Sequence, residues 1–243
     1  MTSCASRRDA QRCTALHAVF SNLVRRDTVG LGMDGARAQE VDRAATLKVI
    51  HDYLRASADN TVAAAAACAE PIAAAAAMLA ASVARGGKIL LCGNGGSAAD
   101  CQHVATEFVS RLTRDSIRPA IPAIALTTDT SFLTAFANDV NFEDIFARQI
   151  EALGRSGDVL VGISTSGRST NVVRAAERAR AQGLSIVALV GGDGGPLRTL
   201  ADVAICVPGA STQHVQEGHL VIEHVICHLV EDTLYPRASR PSR

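Results

Sequence analysis

The sequence predicts an α/β fold: a doubly wound, mostly parallel sheet of five strands flanked by helices, with further helices on its N-terminal side. The first observation is a set of five short and nearly continuous apolar runs, a pattern typical of parallel strands covered on both faces. The runs occupy residues 88–92, 122–127, 158–164, 185–190 and 203–208. The second observation is that helical stretches separate these runs, and this alternation indicates a parallel sheet.

The predicted helices lie before, between and after the strands. They cover residues 98–112, 130–137, 142–153, 170–182, 196–200 and 216–234. Ahead of the first strand, residues 46–84 are rich in Ala and have a helical pattern that Pro71 interrupts. Because Pro is tolerated in the first turn of a helix and disruptive later, we expect one helix to end near Cys68 and another to begin near Glu70.

The chain divides into three parts. Its 243 residues are enough for one good-sized α/β domain. Residues 1–45 mix charged residues and Gly with weak periodicity, so we expect a variable, partly disordered extension there. The domain is predicted over residues 46–236, and residues 237–243 form a C-terminal tail.

Composition argues against several classes of protein. The formal net charge is zero, aromatic residues make up 3% and Trp is absent, so we expect no nucleic-acid partner. No apolar run reaches membrane-spanning length without Gly or a charged residue, so we expect no membrane partner. The seven Cys are scattered without a CxxC pair, which argues against a zinc ribbon or a disulfide framework and predicts a cytoplasmic location.

The turn after the first strand, CGNGGSAAD, is rich in Gly and leads into a helix for which Ser97 is the predicted N-cap. Ligands of open α/β sheets bind beyond the carboxyl ends of the strands, where this turn lies. The turn lacks both the Lys of a nucleotide-binding P-loop and the GxGxxG spacing of a dinucleotide site. Its glycines would let the backbone approach a ligand, although a tight strand–helix turn also uses glycines.

The turn after the third strand, GISTSGRSTN, carries five hydroxyl groups within seven residues. They belong to Ser164, Thr165, Ser166, Ser169 and Thr170. Backbone N–H groups and hydroxyls at the N-terminus of a helix form an anion site without Lys. Because an ordinary helix cap needs only one hydroxyl, this turn predicts a phosphate site.

The helix after the first turn carries His103 and Glu107, four residues apart and therefore on one face. Such a pair binds a metal ion, acts as an acid and a base, or is an ordinary surface ion pair. Spacing alone does not decide among these.

The last helix carries the sequence QEGHLVIEHVICHLVED. Four-residue spacing pairs His219 with Glu223 and His224 with His228. Gln216 and His224 are eight residues apart, about 12 Å along the helix axis and about 80° around it, so spacing does not select them as a pair.

Asn138 and Asp139 form a polar break after the second strand. Asn and Asp favour turns, so a turn explains them. The functional interpretation is contact with a substrate hydroxyl.

Four motifs occur in order along the chain: CGNGGSAADCQHVATEF, LTTDTSFLTAFAND, GDVLVGISTSGRSTNV and VQEGHLVIEHVICHLVE. Together they resemble the sugar isomerase (SIS) domain of the phosphoheptose isomerases. The resemblance covers about residues 46–236, nearly everything outside the N-terminal extension. Two segments depart from the family pattern: residues 1–45 have no counterpart, and the segment RLTRDSIRPAIP is a few residues longer than usual.

The resemblance implies conversion of D-sedoheptulose 7-phosphate to D-glycero-D-manno-heptose 7-phosphate through an enediol, the first step of bacterial ADP- and GDP-heptose biosynthesis. It implies a homotetramer with active sites at subunit boundaries and one zinc ion per subunit. The implied zinc ligands are His103, Glu107, Gln216 and His224. Glu107 is the implied catalytic base, and His224 is its acid–base partner.

The same resemblance implies a set of substrate contacts around the two turns and the helices. They are Asn94, Gly95, Gly96, Ser97, Glu107, Asn138, Asp139, Ser164, Thr165, Ser166, Ser169 and Gln216. His219 and His228 fall outside the family pattern, so we expect them in packing or at the surface.

The alternative function is that of a non-catalytic SIS protein, which binds a partner such as the replication initiator DnaA or senses a phosphosugar. The DnaA-binding relative departs from the isomerase pattern at the glycine turn and at the position of His224, and this chain keeps both. A phosphosugar sensor normally carries a helix-turn-helix domain, whose pattern residues 1–45 lack.

Overall fold

The computed structural model describes residues 42–114 and 117–236. In chain order the elements are α1 (Arg43–Ala84), β1 (Ile89–Gly93), α2 (Gly96–Val109), β2 (Ala123–Ala125), α3 (Thr130–Asp139), α4 (Ile145–Leu153), β3 (Val159–Ser164), α5 (Thr170–Ala181), β4 (Ser185–Gly191), α6 (Gly195–Leu200), β5 (Val203–Val207) and α7 (Thr212–Leu234). All five predicted strands are present. The last helix begins four residues earlier than predicted, because the Ser211 side chain caps it by accepting from the backbone N–H of His214.

The five strands form one sheet in the order β2-β1-β3-β4-β5, and every neighbouring pair is parallel. Ile89 of β1 pairs with Ala123 on one side and with Val159 on the other. The predicted parallel sheet is therefore confirmed.

Side chains that alternate along each strand build two cores, one on each face of the sheet. Leu91 and Val161 pack on the side that α1, α2 and α7 cover. Leu90 and Leu160 pack on the opposite side, beneath α4, α5 and α6. Burial on both faces explains why the strands are nearly continuous apolar runs, and the sheet is doubly wound as predicted.

The direction of winding reverses at β1. From β1 the chain passes to β2 at one edge, and it then returns to β3 on the other side of β1. The turns after β1 and β3 therefore lie next to each other at the switch point, the position where open α/β sheets bind ligands.

Helix α1 runs without a break through Pro71, so the prediction of two helices is wrong. One face of α1 is buried on both sides of the proline, at Cys68 before it and at Ile72 and Leu79 after it. An interior Pro costs about 3 kcal/mol. Burying a Leu or Ile side chain contributes roughly 1.5–3 kcal/mol, so packing of the residues beyond Pro71 outweighs this cost.

Among the described helices, α1 is the one that is long and apolar enough to cross a membrane by length and composition alone. A helix of a protein core meets the same criterion. Ala64, Cys68, Ile72 and Leu79 of α1 belong to the core beside the sheet, which favours the core-helix interpretation.

The predicted N-terminal extension and C-terminal tail fall largely outside the described residues, which leave out positions 1–41 and 237–243. Helix α1 begins at Arg43, so residues 43–45 of the predicted extension are helical. The carboxylate of Asp42 accepts a hydrogen bond from the backbone N–H of Ala44 at 2.9 Å, an arrangement typical of a helix start.

Candidate active site at the switch point of the sheet

Helices α2 and α7 bring two histidines into contact. Nε2 of His103 lies 2.8 Å from Nε2 of His224, and the two ring centroids are 5.0 Å apart with the ring planes at 78°. One ring donates and the other accepts, depending on the tautomers. The contact joins residues 121 positions apart, and it selects His224 rather than His228 as the partner of His103.

One face of α2 carries three ionisable residues, Asp100, His103 and Glu107, at helical spacings of three and four. Oε1 of Glu107 lies 3.9 Å from Nε2 of His103. The side chain of His103 is 42% exposed and that of Glu107 is 17% exposed, so this face is open to a ligand.

Gln216, in the second turn of α7, reaches the start of α2. Its side-chain amide donates to both carboxylate oxygens of Asp100, at 3.2 and 3.4 Å. The same amide occupies the space that a Cβ on Gly96 would fill. A side chain at position 96 would therefore displace the amide of Gln216 from its place beside Asp100.

Asp100 is the residue of this cluster that the sequence interpretation missed. Burial raises the pKa of its carboxyl group, while the hydrogen bond from Gln216 and the nearby His103 oppose that rise. Asp100 lies three residues before His103 and seven before Glu107. This spacing places all three on one helix face, and it could have identified Asp100 from the sequence.

A second buried carboxyl group, that of Glu223, lies beside His224 in the chain. Both of its oxygens lack a hydrogen-bond partner among the described residues. Burial, and then the charge of Asp100, raises the pKa of Glu223 to about 8. Glu223 is therefore mainly protonated at neutral pH.

The Ser/Thr turn after β3 brings its hydroxyls together at the start of α5. Oγ of Ser164 lies 3.0 Å from Oγ of Ser169, and the backbone N–H of Arg168 donates to Oγ of Ser166 at 3.2 Å. Gly167, at φ +63°, packs its Cα against the carbonyl group of Gly194, where no side chain would fit.

The helices that begin at the switch point have no side-chain cap. Gly95, not Ser97, is the N-cap of α2, so the capping role predicted for Ser97 is wrong. Ser97 lies inside the first turn, because Gly95, with its positive φ of +56°, ends the loop two residues earlier. Ser169 is the N-cap of α5, but its hydroxyl bonds Ser164 and not the helix backbone.

Uncapped N-terminal N–H groups are available to an anion. By contrast, the start of α3 is capped by the carboxylate of Asp129, and that of α7 by the hydroxyl of Ser211. Helices α4 and α6 also begin without a side-chain cap, so an uncapped start is not confined to α2 and α5.

Asn94 and Asn171 tie the two turns together. Each side-chain amide donates to the other's carbonyl oxygen, at 2.8 and 2.9 Å. Asn94 follows β1, and Asn171 lies in the first turn of α5. The reciprocal pair fixes the glycine turn relative to the Ser/Thr turn.

A cleft of about 240 Å³ lies beside the Ser/Thr turn, with Thr165 and Ser166 in its wall. Arg168 also lines it and forms an ion pair with Asp193 at 2.6 Å. The sequence interpretation did not single out this Arg168–Asp193 pair.

Asn138 and Asp139 are the last two residues of helix α3, so the turn that could have explained them is not present. Both are exposed, and the amide of Asn138 donates to the carboxylate of Asp139 at 2.8 Å. Within the described residues, no hydrogen bond or ion pair joins them to the two turns or to the histidines.

Two further histidines of α7, His219 and His228, lie apart from this cluster. His219 is fully buried, and its Nε2 lies 3.1 Å from the carbonyl oxygen of Val190. His228 is at the surface, 3.3 Å from the carboxylate of Asp232.

Comparison with known proteins identifies the family of this chain. The model of the SIS domain family matches residues 52–191. A phosphoheptose isomerase of Burkholderia pseudomallei (strain K96243) is 54% identical over 153 residues, which are 63% of this chain and 77% of that protein. The chain belongs to the phosphoheptose isomerase family of SIS-domain proteins.

Two solved phosphoheptose isomerases share the fold. The structure from Neisseria gonorrhoeae superposes with a TM-score of 0.73 at 39% identity, covering 77% of this chain and 99% of that one. The structure from Francisella tularensis gives a TM-score of 0.74 at 36% identity, covering 77% and 98%. The SIS match ends at residue 191, before α7. The phosphoheptose isomerase structures match over nearly their whole length.

Proposed function

We propose that this chain converts D-sedoheptulose 7-phosphate to D-glycero-D-manno-heptose 7-phosphate, the first step of bacterial ADP- and GDP-heptose biosynthesis. As a member of the phosphoheptose isomerase family it is an isomerase. The observation that carries the proposal is the contact between His103 of α2 and His224 of α7, with Glu107 on the same face of α2. It brings a carboxylate and two imidazoles together between helices α2 and α7.

The reaction moves a proton between two carbons. Glu107 takes the proton from C1 of the ketose, and His224 gives a proton to the carbonyl oxygen on C2, which yields the enediol. The proton on Glu107 exchanges with solvent in part, and Glu107 then delivers a proton to C2 while His224 takes the proton from the hydroxyl on C1. The aldehyde forms at C1, and both side chains recover their starting protonation.

The Ser/Thr turn binds the 7-phosphate in this proposal. Hydroxyls of Ser164, Ser166 and Ser169 gather at the uncapped start of α5, which favours an anion. Because the phosphate is remote from C1 and C2, its binding energy serves to align the reacting carbons.

The donor types of the proposed zinc site suit zinc. His103 and His224 point Nε2 at the same place, and imidazole nitrogen and carboxylate oxygen are common zinc ligands. Among the described residues, no three or more His, Cys, Asp or Glu side chains are grouped so that they could hold a metal ion. Oε1 of Glu107 lies 3.9 Å from Nε2 of His103.

The two histidines would hold the ion, and side-chain rotation of Glu107 and Gln216 would complete the ligand set. When bound, zinc would stabilise the negative charge that develops on the enediol oxygens. A Glu107 side chain bound to the metal is a weaker base, so ligand and base roles compete at this residue.

We propose a homotetramer with active sites at subunit boundaries. An apolar cleft of about 310 Å³ lies between α1 and α7, lined by residues such as Ala65, Ala69, Val221 and Val225. Apolar side chains that line it are exposed, among them Val221 at 45% and Val225 at 42%. Exposed apolar surface of this kind marks an interface, and a second copy of the chain would cover it and the open face of His103.

The cytoplasmic location stays a prediction. The described cysteines are all free thiols, as a reducing compartment requires.

The test is a turnover assay with sedoheptulose 7-phosphate in D₂O on protein of measured zinc content, followed by proton NMR. Heptose 7-phosphate with deuterium at C2 would support both the isomerase and the enediol. If a folded, zinc-loaded tetramer gives no turnover, the isomerase proposal fails. Binding of DnaA or of a phosphosugar would then be measured on the same protein.

A further inference from the structure

A buried ion pair joins the ends of the two helices that carry the proposed active site. The guanidinium of Arg118 lies in the segment between α2 and β2, and it contacts the carboxylate of Glu231 in α7 through Nη2 at 2.5 Å and Nε at 2.8 Å. The Arg118 side chain is 1% exposed and that of Glu231 is 3% exposed. Buried charges are rare unless they are paired and fully hydrogen-bonded.

Arg118 also binds the last turn of α2. Its Nη2 donates to the carbonyl oxygen of Glu107 and its Nη1 to that of Phe108, both at 2.8 Å. The final carbonyl groups of a helix have no partner within the helix, and a cation there also complements the helix dipole. Arg118 thus holds the backbone of the residue that we propose as the catalytic base.

Glu231 connects the second helix, α7, to Arg118 and to the backbone that follows α2. It follows His224 by seven residues, or two helical turns, so both lie on one face of α7. Its Oε1 accepts from the backbone N–H of Leu112 at 3.0 Å as well as from Arg118. The pair therefore connects the backbone next to Glu107 with the helix that carries His224.

We propose that Arg118 and Glu231 are positioning residues that set the distance between Glu107 and His224. The inference rests on the proposed isomerase function, and neither residue touches the substrate. Arg is required because three of its nitrogens bind acceptors in both helices at once, whereas the single ammonium of Lys cannot span them.

The decisive variant is Arg118→Lys, which keeps the positive charge but loses the planar guanidinium group with its several N–H donors. The matched control is Lys88→Gln, which breaks the contact of Lys88 with buried Asp158 at the amino ends of β1 and β3. Within the described residues, the side-chain hydrogen bonds of Lys88 and Asp158 involve neither α2 nor α7. Lys88→Gln loses a partly buried ion pair and Arg118→Lys loses several buried hydrogen bonds, but we expect only Arg118→Lys to change the spacing of α2 and α7.

We expect Arg118→Lys to lower kcat about tenfold to a hundredfold, since misplacement by about 1 Å has an effect of this size. The KM for sedoheptulose 7-phosphate should stay within about twofold, because the Ser/Thr turn is untouched. Lys88→Gln should lower the melting temperature and leave kcat unchanged. Equal melting losses with wild-type kcat in both variants would overturn the proposal.

Glu231→Gln keeps the side-chain shape and covers the case in which Arg118→Lys does not fold. We expect the same loss of kcat at unchanged KM. Nitrogen-15 NMR of the His103 and His224 rings tests the positioning role without measuring turnover. The chemical shifts of both rings should change in Arg118→Lys and in Glu231→Gln, and they should not change in Lys88→Gln.

The two proposals fail in different ways. A wild-type chain without turnover would reject the isomerase function, and the ring signals alone would then decide the positioning role. Unchanged ring signals in Arg118→Lys and Glu231→Gln would reject that role whatever the activity.

Discussion

The side-chain amide of Gln216 lies against the Cα of Gly96, in the space where any other residue would place its Cβ. The two residues are 120 positions apart, and their contact brings the start of α7 to the start of α2. It also directs the amide of Gln216 towards Asp100, which shares a helix face with His103. Gly96, in the predicted glycine-rich turn, thus leaves space for the side chain of Gln216 in the last helix.

Gly96→Ala should lower activity without lowering stability. Gly96 is the first residue of α2, and a Gly→Ala change in a compatible helical position stabilises by about 0.4–1 kcal/mol. The new methyl group would displace the flexible end of Gln216, so we expect kcat/KM to fall about tenfold to a hundredfold. Steady-state kinetics and thermal unfolding measure the two effects.

The adjacent Gly95→Ala is the matched control. Gly95 adopts φ +56°, and a Cβ there would meet nothing within 4 Å. Its replacement should therefore cost about 1–2 kcal/mol of stability through backbone strain and leave Gln216 in place. If Gly95→Ala and Gly96→Ala show the same profile, the Gly96–Gln216 contact has no special role.

The fold follows from local patterns, and for that reason sequence reasoning found the strands. Each strand lies between two helical layers, so its apolar run is nearly continuous and is visible without any partner. The break predicted at Pro71 was wrong because a local rule competed with core packing on both sides of that residue.

The site depends on contacts between distant elements, which spacing cannot supply. Four-residue spacing suggested that His224 pairs with His228. In the structure His224 instead contacts His103, which is 121 residues away in the sequence. The cap predicted at Ser97 failed because Gly95 starts the helix earlier. Helical spacing alone could have placed Asp100 on the same face as His103. Its hydrogen bond with Gln216 joins distant elements and is visible only in the structure.

Glu107→Gln should abolish turnover and leave the fold intact. Loss of a general base lowers the rate by about 10²–10⁴-fold. The amide keeps the size of the side chain, so thermal unfolding should stay close to wild type. Glu151→Gln is the control, since Glu151 forms an exposed ion pair with Arg148 within α4. Near-normal rates in Glu107→Gln would remove Glu107 as the base.

Bound zinc should depend on the two histidines in contact. His103→Ala and His224→Ala should each weaken zinc binding by more than about tenfold, because loss of an outer-shell partner alone has that effect. His228→Ala, on the same helix as His224 but paired with surface Asp232, should keep both zinc and activity. Metal analysis after dialysis against a chelator measures the affinity. Equal zinc content in all three variants would place the metal elsewhere.

The reciprocal amide pair of Asn94 and Asn171 should couple the two turns energetically. We expect a double-mutant cycle with Ala at both positions to give a coupling free energy of about 1 kcal/mol in chemical unfolding. Each single variant should also raise the KM for the phosphosugar, because the Ser/Thr turn loses its link to the glycine turn. Additive stabilities with unchanged KM would mean that the pair is not a functional link.

His219 should make the protein acid-sensitive. Burial lowers the pKa of its imidazole from 6.5 to about 4, against the opposing effect of its hydrogen bond to Val190. A depressed folded-state pKa means that the unfolded state takes up the proton first. Stability is therefore complete above about pH 6.5 and is lost as pH falls towards 4, by about 3 kcal/mol over the full window.

His219→Gln tests this directly, because a glutamine amide keeps a donor near Val190 and does not titrate. Chemical unfolding between pH 4 and 8 should give a wild-type curve that falls on the acid side more steeply than that of the variant. Glu223, one turn along α7, is mainly protonated across most of this range and should affect both curves alike. Parallel curves would show that His219 is not the group that sets the acid limit.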